Sequence, residues 1–327
     1  MGPKVKGNLA MSFSKVCSGL NQNALRYLQP AWMDAVSGVF LRLVFAGASF
    51  WLIGLFTNKR GGPSRPGIRR PGISWKDRLC LLCMGMFLVY GYMLGLLLAL
   101  TYSTPVSSSL IICTEPVWVL LMATWFFHQP VTRGKVLGIG LGMAGCLVCI
   151  LTQKSDDIAT NPLLGNLCGL GGAIFYSVYL VASRGLLRKM DNITFNKWLF
   201  TGGAIAATAG IAIHGLHAPV LQQGLFSAPM LALLFVLVFP STVSYLLVAV
   251  GIRDLPSTVV AIYGYVILIV SMAASYALGQ DRFSWEQGLA VALIVLSVYL
   301  VEIADSGPAR KDPAKAAAAV RPEGRKP

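Results

Sequence analysis

Three ionisable side chains inside apolar stretches are the residues of this sequence that could do chemistry. Glu115 lies near the middle of the apolar segment 104–127, while Lys15 and Arg42 lie inside two earlier segments. An ionised group at the centre of a membrane costs about 2.5–3.5 kcal/mol on insertion scales, so it must be protonated, paired or hydrated. Glu115 could therefore bind a cationic or amino group, or take up a proton that competes with substrate. A structural ion pair with Arg42 or Lys15 is an equally favoured alternative.

The segment 7–27 carries a polar helical face next to these charges. The face consists of Ser14, Lys15, Ser18, Asn21, Gln22 and Arg26. A polar face within a membrane must meet polar partners or a transport pathway, and we favour the pathway. Lys15 and Arg42 would attract a carboxylate or a phosphate. Together with Glu115, they would suit a zwitterion such as an amino acid.

Aromatic side chains near the middle of other segments are candidates for contact with an organic substrate. The main candidates are Tyr90, Trp118, Tyr176 and Tyr265. Rings can stack on a substrate while their polar tips hydrogen-bond to it, although packing between helices is the more common role of any one ring. Trp118 is the strongest candidate, because it lies three residues beyond Glu115 and shares its helix face. The predicted cavity lining is Lys15, Asn21, Arg42, Tyr90, Glu115, Trp118, Tyr176 and Tyr265.

Recognisable catalytic motifs are absent from the sequence. There is no H-E-x-x-H, no G-x-S-x-G and no P-loop. His214-x-x-His217 lacks the further ligands that a metal ion needs. We therefore predict a protein that is not an enzyme and has no catalytic residue, cofactor or metal site. Energy would come from an ion gradient or a counter-substrate.

The composition determines the elements that must position these residues. The 327 residues are 55% hydrophobic and 12% charged, and the mean hydropathy is +0.66. A soluble protein has about 25% charged residues, so this composition excludes a soluble globular protein. The apolar stretches are near 20 residues long and do not alternate with period two, which favours membrane-spanning helices. We predict ten spans, at 7–27, 32–57, 79–100, 104–127, 135–152, 164–187, 197–216, 228–250, 257–278 and 286–303.

The net charge of +14 is concentrated in short segments between spans. With ten spans, most basic residues fall on one side, including those of the N-terminus 1–6, the loop 58–77 and the tail 304–327. This bias marks the cytoplasmic side, so both termini are predicted to be cytoplasmic. The same distribution argues against nucleic-acid binding, since it matches a topology signal. The tail is predicted to be disordered.

The two halves of the sequence resemble each other. Gly7-Asn8-Leu9 recurs as Gly165-Asn166-Leu167, and later identities follow at an offset of 150, such as Ala99 with Ala249. The repeats are 7–152 and 164–303, each with five spans. Because five is odd, two copies in one chain must have opposite orientations. Inverted repeats are typical of transporters, in which one site at the repeat interface is exposed to either side in turn.

Particular segments also resemble a known family. They are the segments 99–109 and 279–288, Glu115-Pro116, the glycine-rich stretch 134–145, the two Gly-Asn-Leu starts and Arg42. Residues 7–303 resemble the EamA-type drug/metabolite transporters. The resemblance implies an all-α polytopic membrane protein with ten transmembrane helices in two inverted five-helix repeats, which exports or exchanges small metabolites. One departure is that the stretch 127–130, Phe-His-Gln-Pro, lacks the acidic residue common there in the family.

We therefore predict a secondary-active transporter, an exporter of small organic metabolites such as amino acids that works by alternating access. Its partners would be the substrate, a proton or counter-substrate, and the lipid bilayer of a plasma (bacterial inner) membrane. The alternative within transport is a nucleotide-sugar or organophosphate exchanger, which would need more cations than Lys15 and Arg42. The alternative outside transport is a membrane enzyme or scaffold. Gly134, Gly138 and Gly142 form a GxxxGxxxG run that favours internal packing, with a homodimer contact as the alternative.

Overall fold

The computed structural model describes residues 3–59, 74–112, 114–115, 117–119, 121–122, 133–152, 159–187, 189–255, 263–280 and 284–305. Within these ranges the chain is helical and forms no strand. We number the helices so that each matches the predicted span of the same order. They are α1 (Pro3–Leu28), α2 (Ala35–Lys59), α3 (Trp75–Met84, Gly85–Val89 and Tyr90–Tyr102), α4 (Pro105–Ile112), α5 (Arg133–Thr152), α6 (Pro162–Leu187), α7 (Asn192–His214), α8 (Ala228–Val238, Phe239–Val243 and Ser244–Asp254), α9 (Gly264–Ala277) and α10 (Trp285–Asp305).

Four of the described helices are long and apolar enough to cross a membrane. The qualifying segments are Ala35–Phe56, Trp75–Tyr102, Pro162–Leu187 and Ala228–Gly251. Shorter apolar segments lie in α5, α9 and α10. Large apolar side chains such as Leu55 and Phe56 are exposed on the outside of the bundle, as expected where acyl chains replace water.

The helix α1 turns its polar side chains toward other helices, while apolar side chains such as Leu9 and Phe13 are exposed on its other face. Lys15 is 8% exposed and Gln22 only 1% exposed. Contacts with α3, α4, α8 and α9 surround α1. A polar helix face within a membrane is stable only against protein or water, which explains why this face of α1 is turned inward.

Each principal contact between helices recurs when the helices α1–α5 are replaced by their counterparts α6–α10. The helix α1 packs against α8 and α9, and its counterpart α6 packs against α3 and α4. The helix α2 packs against its own counterpart α7, and α5 packs against α10. Two related five-helix units around a two-fold axis produce this pattern, in which the most extensive helix contacts are made between the units.

The third helix of each unit contains a five-residue π-helical segment. The segments are Gly85–Val89 in α3 and Phe239–Val243 in α8. In α8, Pro240 lacks the N–H that a continuous α-helix would use. The hydroxyls of Ser241 and Thr242 donate to the carbonyls of Val236 and Leu237, five residues earlier, at 2.8 and 3.1 Å. These side chains thus satisfy carbonyls that the widened turn leaves open.

Glycine allows two close approaches between helices. A Cβ on Gly85 would collide with the backbone of α7 at Leu199. In α5, a Cβ on Gly142 would meet Ser297 of α10, and the Ser297 hydroxyl donates to the carbonyl of Gly138 at 2.6 Å. The glycine run of α5 therefore forms a packing contact within the chain, the favoured of its two interpretations.

Candidate functional site

A polar cavity lies where α1–α4 of the first unit meet α6, α8 and α9 of the second. The described residues that line it are Lys15, Ser18, Asn21, Gln22, Arg42, Tyr92, Leu96, Ile112, Glu115, Tyr176, Pro240, Ser244, Tyr245, Val248 and Ile267. Its volume, measured as the space open to the centres of water molecules, is about 40 Å³. That is room for a few water molecules.

One edge of the Arg42 guanidinium on α2 donates a hydrogen bond, and the other edge carries a buried donor that no described residue accepts. Its side chain is 2% exposed, and its Nε donates to the Ser241 hydroxyl at 2.9 Å. Ser241 belongs to the π-helical segment of α8, and its own proton goes to the carbonyl of Val236. The Nη1 atom of Arg42 is buried and has no hydrogen-bond partner among the described residues. The guanidinium is therefore oriented by α8 while retaining donors for an anion.

Glu115, three residues beyond α4 in the sequence, is the carboxylate of the cavity. It is 7% exposed, and its Oε1 atom is buried without a hydrogen-bond partner in the described part of the chain. The positive charge of Lys15 on α1 acts on it electrostatically. Among the described residues, Glu115 and Arg42 form no hydrogen bond or ion pair with each other. The ion pair with Arg42, one alternative from the sequence, is thus not formed.

Two amides on α1 add further unpaired polar atoms. Asn21 is 4% exposed with its Oδ1 unpaired, and both side-chain polar atoms of Gln22 are unpaired, counting the described residues as partners. Buried polar groups in folded proteins are nearly all hydrogen-bonded. With Arg42 and Glu115, four neighbouring lining side chains depart from that rule. Such a group calls for a polar ligand or ordered water.

Tyrosine rings form part of the cavity wall. The rings of Tyr92 and Tyr176 have centroids 4.6 Å apart, and Tyr245 packs edge-on against Phe200 at 4.9 Å. Each tyrosine is on a different helix, so the wall joins α3, α6 and α8. Amphipathic rings of this kind can contact an organic group and hydrogen-bond its polar edge.

The structure brings together most, but not all, of the side chains predicted to line a cavity. Five of them are at the cavity: Lys15, Asn21, Arg42, Glu115 and Tyr176. Trp118 and Tyr90 are not among the described lining residues. The Trp118 indole donates to Thr114, four residues earlier, at 3.1 Å, and the Tyr90 hydroxyl packs against Gly210 of α7. The side chain of Tyr265 lies outside the described part of the structure.

Sequence reasoning missed Tyr92, Tyr245 and Ser244 in the cavity wall and Ser241 behind it. Tyr92 was overlooked because the π-helical segment before it rotates the following residues relative to a regular helix. Pro240, inside an otherwise apolar span, was a usable signal for the corresponding irregularity in α8. No group of three His, Cys, Asp or Glu side chains that could hold a metal ion occurs among the described residues.

Fold and cavity define a polytopic membrane protein with a site between two related units, and comparisons with known proteins identify its class. The model of the EamA-like transporter family matches residues 5–151 and again residues 163–303. The chain belongs to this family. It is a multi-pass membrane transporter and not an enzyme, which confirms the predicted resemblance and fold class.

Individual relatives agree with the family match. An uncharacterized transporter of Archaeoglobus fulgidus is 25% identical over 72% of this chain and 78% of its own length. The uncharacterized transporter YyaM of Bacillus subtilis is 21% identical over 89% of this chain and 91% of its own length. A solved crystal structure is similar in fold, with a TM-score of 0.61 and 19% identity over 93% of this chain and 98% of the other.

Proposed function

We propose that the protein is a secondary-active transporter that exports small organic metabolites such as amino acids by alternating access. The observation that carries this proposal is the pair formed by Arg42 and Glu115. Both side chains are buried at one cavity between the units, and each leaves a polar atom unpaired among the described residues. Arg42 and Glu115 could pair with each other, but among the described residues they do not, so each retains a polar atom that a ligand can bind.

A zwitterion fits these groups at both ends. The free edge of Arg42 can donate two hydrogen bonds to a carboxylate. Glu115 can accept from an ammonium group, and the amides of Asn21 and Gln22 can complete the polar shell. An unpaired buried group costs about 1–3 kcal/mol. A ligand that supplies the missing partners recovers this energy, which favours binding and selectivity for polar substrates.

The symmetry of the fold supports alternating access. Helices of both units form the cavity, and the main contacts of α1–α5 are repeated by α6–α10. Near-symmetric rocking of the two units would expose one site to either side. The helices α3 and α8, which both line the cavity, contain π-helical segments, and such segments occur frequently at functional sites in other proteins.

A proton is the proposed coupling ion, with a counter-substrate as the alternative. Glu115 could release its proton when an amino group arrives and take one up when the group leaves. We place the protein in a plasma membrane with both termini on the cytoplasmic side, because ten spans put most basic residues on the same side as the termini and basic loops mark the cytoplasmic side.

An organophosphate or nucleotide-sugar exchanger is the second candidate. It is favoured by Arg42 and Lys15, which could both contact a phosphate. It is disfavoured by Glu115, because a carboxylate at the same cavity repels a multiply charged anion.

Exchange in proteoliposomes tests the substrate class. Vesicles that contain the full-length protein and unlabelled amino acids should accumulate labelled amino acids, while organophosphates should not exchange. Glu115→Gln and Arg42→Gln should each abolish most of the exchange. Exchange of organophosphates alone would establish the second candidate. Amino-acid exchange that both variants retain at the wild-type rate would leave transport standing and exclude this cavity as its site.

A further inference from the structure

A second group of cations lies away from the transport cavity, where α2 ends and where α3 and α7 begin. Arg78 of α3 and Lys197 of α7 are next to two tryptophans, Trp51 of α2 and Trp198 of α7. We call these four residues the tryptophan cluster. The proposed transport mechanism does not use them.

The tryptophan rings hold the two cations in position. The Lys197 Nζ is 3.4 Å from the centroid of the Trp51 ring, and the Arg78 Cζ is 5.3 Å from the centroid of the Trp198 ring. The two rings meet edge to face at 6.1 Å. Cations over indole faces are attracted by the ring quadrupole. Three helices thus fix two positive charges side by side.

The two cations leave a net positive charge at the cluster. Arg78 and Lys197 act on each other electrostatically as like charges. The nearby Asp77 is bound to Lys189 at 3.1 Å, and neither cluster cation forms an ion pair with another described residue. The Nε of Arg78 is buried without a hydrogen-bond partner in the same set of residues. An anion at this position would relieve the repulsion and satisfy that donor.

The surroundings of the cluster are those of a membrane interface. Trp51 is 39% exposed, and its indole N–H donates to Thr201 at 3.0 Å. Tryptophan is enriched at the level of lipid headgroups. One to two helical turns deeper in the membrane, Val44 of α2 and Ile205 of α7 have exposed side chains. An apolar surface that can lie along an acyl chain therefore adjoins the charged cluster.

We propose that the tryptophan cluster is a binding site for an anionic phospholipid. Its phosphate is bound by Arg78 and Lys197, and its acyl chains lie along the exposed apolar side chains of α2 and α7 deeper in the membrane. Basic pockets between helices on the cytoplasmic side of membrane proteins bind anionic headgroups for the same reason. Because α2, α3 and α7 come from both units, the bound lipid connects the two halves at their cytoplasmic edge. This site is separate from substrate binding and holds whether or not amino acids are the substrate.

Lipid titration of the full-length protein in detergent, followed by native mass spectrometry, tests the proposal. The wild-type protein should bind phosphatidylglycerol more tightly than phosphatidylcholine. Each basic residue contributes about five-fold to binding of an anionic lipid, so Arg78→Gln with Lys197→Gln should weaken phosphatidylglycerol binding by about 30-fold. Lys197→Gln alone should weaken it about five-fold. Phosphatidylcholine binding should not change.

Replacement of the whole neighbouring ion pair, Asp77→Asn together with Lys189→Gln, is the matched control, because it removes one positive and one negative charge next to the cluster. This control variant should bind phosphatidylglycerol within two-fold of wild type, and Arg78→Lys should keep most of the binding. Equal wild-type affinity for the two lipids would overturn the proposal even if the variant without both cluster cations fails to fold. So would displacement of bound phosphatidylglycerol by millimolar glycerol phosphate, since the site would then take a soluble anion.

Discussion

The two π-helical segments occupy corresponding helices of the two units but are built from different residues. In α3 the segment is Gly85-Met-Phe-Leu-Val89, which contains no hydroxyl, and Gly85 brings it against the backbone of α7. In α8 the segment is Phe239-Pro-Ser-Thr-Val243, and Ser241 connects it to Arg42. One segment is a packing contact, and the other orients a charged group of the cavity. The two units thus share the π-helical segment of the backbone, but its side chains have different roles in α3 and in α8.

The largest expected effect comes from removing the group that the α8 segment orients. Arg42→Gln should lower the apparent affinity for substrate by about 100-fold, because a charge-assisted hydrogen bond to a buried anion contributes about 1.5–3 kcal/mol. Initial rates of exchange over a range of substrate concentrations measure this. Arg42→Lys retains the charge and loses the planar fork, so it should restore only part of the affinity. Full activity of the lysine variant would show that Arg42 acts as a simple charge.

The next effect concerns the α3 segment and should appear in stability rather than transport. Gly85→Ala should destabilise the protein by about 1–3 kcal/mol, since a Cβ there overpacks the contact with α7. Thermal unfolding in detergent measures the change. Gly171→Ala on α6 is the control, because a Cβ at Gly171 meets nothing within 4 Å. Equal melting temperatures for the two variants would contradict the assigned packing role.

Ser241→Ala tests whether the Ser241 hydroxyl, unlike the neighbouring Thr242 hydroxyl of α8, orients Arg42. Without the hydroxyl, the Nε of Arg42 loses its acceptor and its orientation, so substrate KM should rise by about three- to ten-fold, equivalent to about 0.5–1.5 kcal/mol. The maximal rate should change less. Thr242→Val removes the neighbouring hydroxyl, which bonds to Leu237 and not to Arg42. That variant should keep the wild-type KM, and Ser241→Thr should restore it. An equal rise in both KM values would reduce Ser241 to a structural residue of the segment.

Much of the fold could be predicted because the relevant signals are properties of whole segments. Apolar length predicted segments that are helical in the structure, while the assignment of the basic loops to the cytoplasmic side stays a prediction. The ionisable residues Lys15, Arg42 and Glu115 were identifiable as cavity residues because a charge inside an apolar span is stable only where it meets water, a ligand or another polar group. Asn21 followed from the same helical face. These inferences needed only the spacing along one helix.

The other residues of the site depend on helix irregularities and on contacts between distant helices, which the spacing of residues along one helix does not predict. A π-helical segment adds one residue to a turn, so Tyr92 reaches the cavity while Tyr90, two residues earlier, packs against α7. Trp118 shares a helix face with Glu115 only in a regular helix, and its indole instead bonds to Thr114. Ser241 contacts Arg42 from a helix 199 residues away in sequence. Such pairings follow from how the two units pack together.

A smaller effect separates the two tyrosines of α3. Tyr92→Phe removes a hydroxyl from the cavity wall and should lower substrate affinity by about two- to ten-fold, the value of one hydrogen bond. Tyr90→Phe, the matched control on the same helix, should leave the affinity unchanged. Substrate-induced thermal stabilisation measures both variants under equal conditions. If Tyr90→Phe has the larger effect, the assignment of the cavity-facing side of α3 is wrong.

The most direct test of alternating access is the accessibility of the cavity from the two sides of the membrane. A Gln22→Cys variant, in a background with the native cysteines replaced, can be labelled in oriented vesicles by a membrane-impermeant thiol reagent added to one side at a time. Alternating access predicts labelling from either side, with substrate slowing the reaction in both cases, while the background protein remains unlabelled. Labelling from one side alone under all conditions, or at a rate that substrate does not change, would contradict a substrate site that alternates between the two sides.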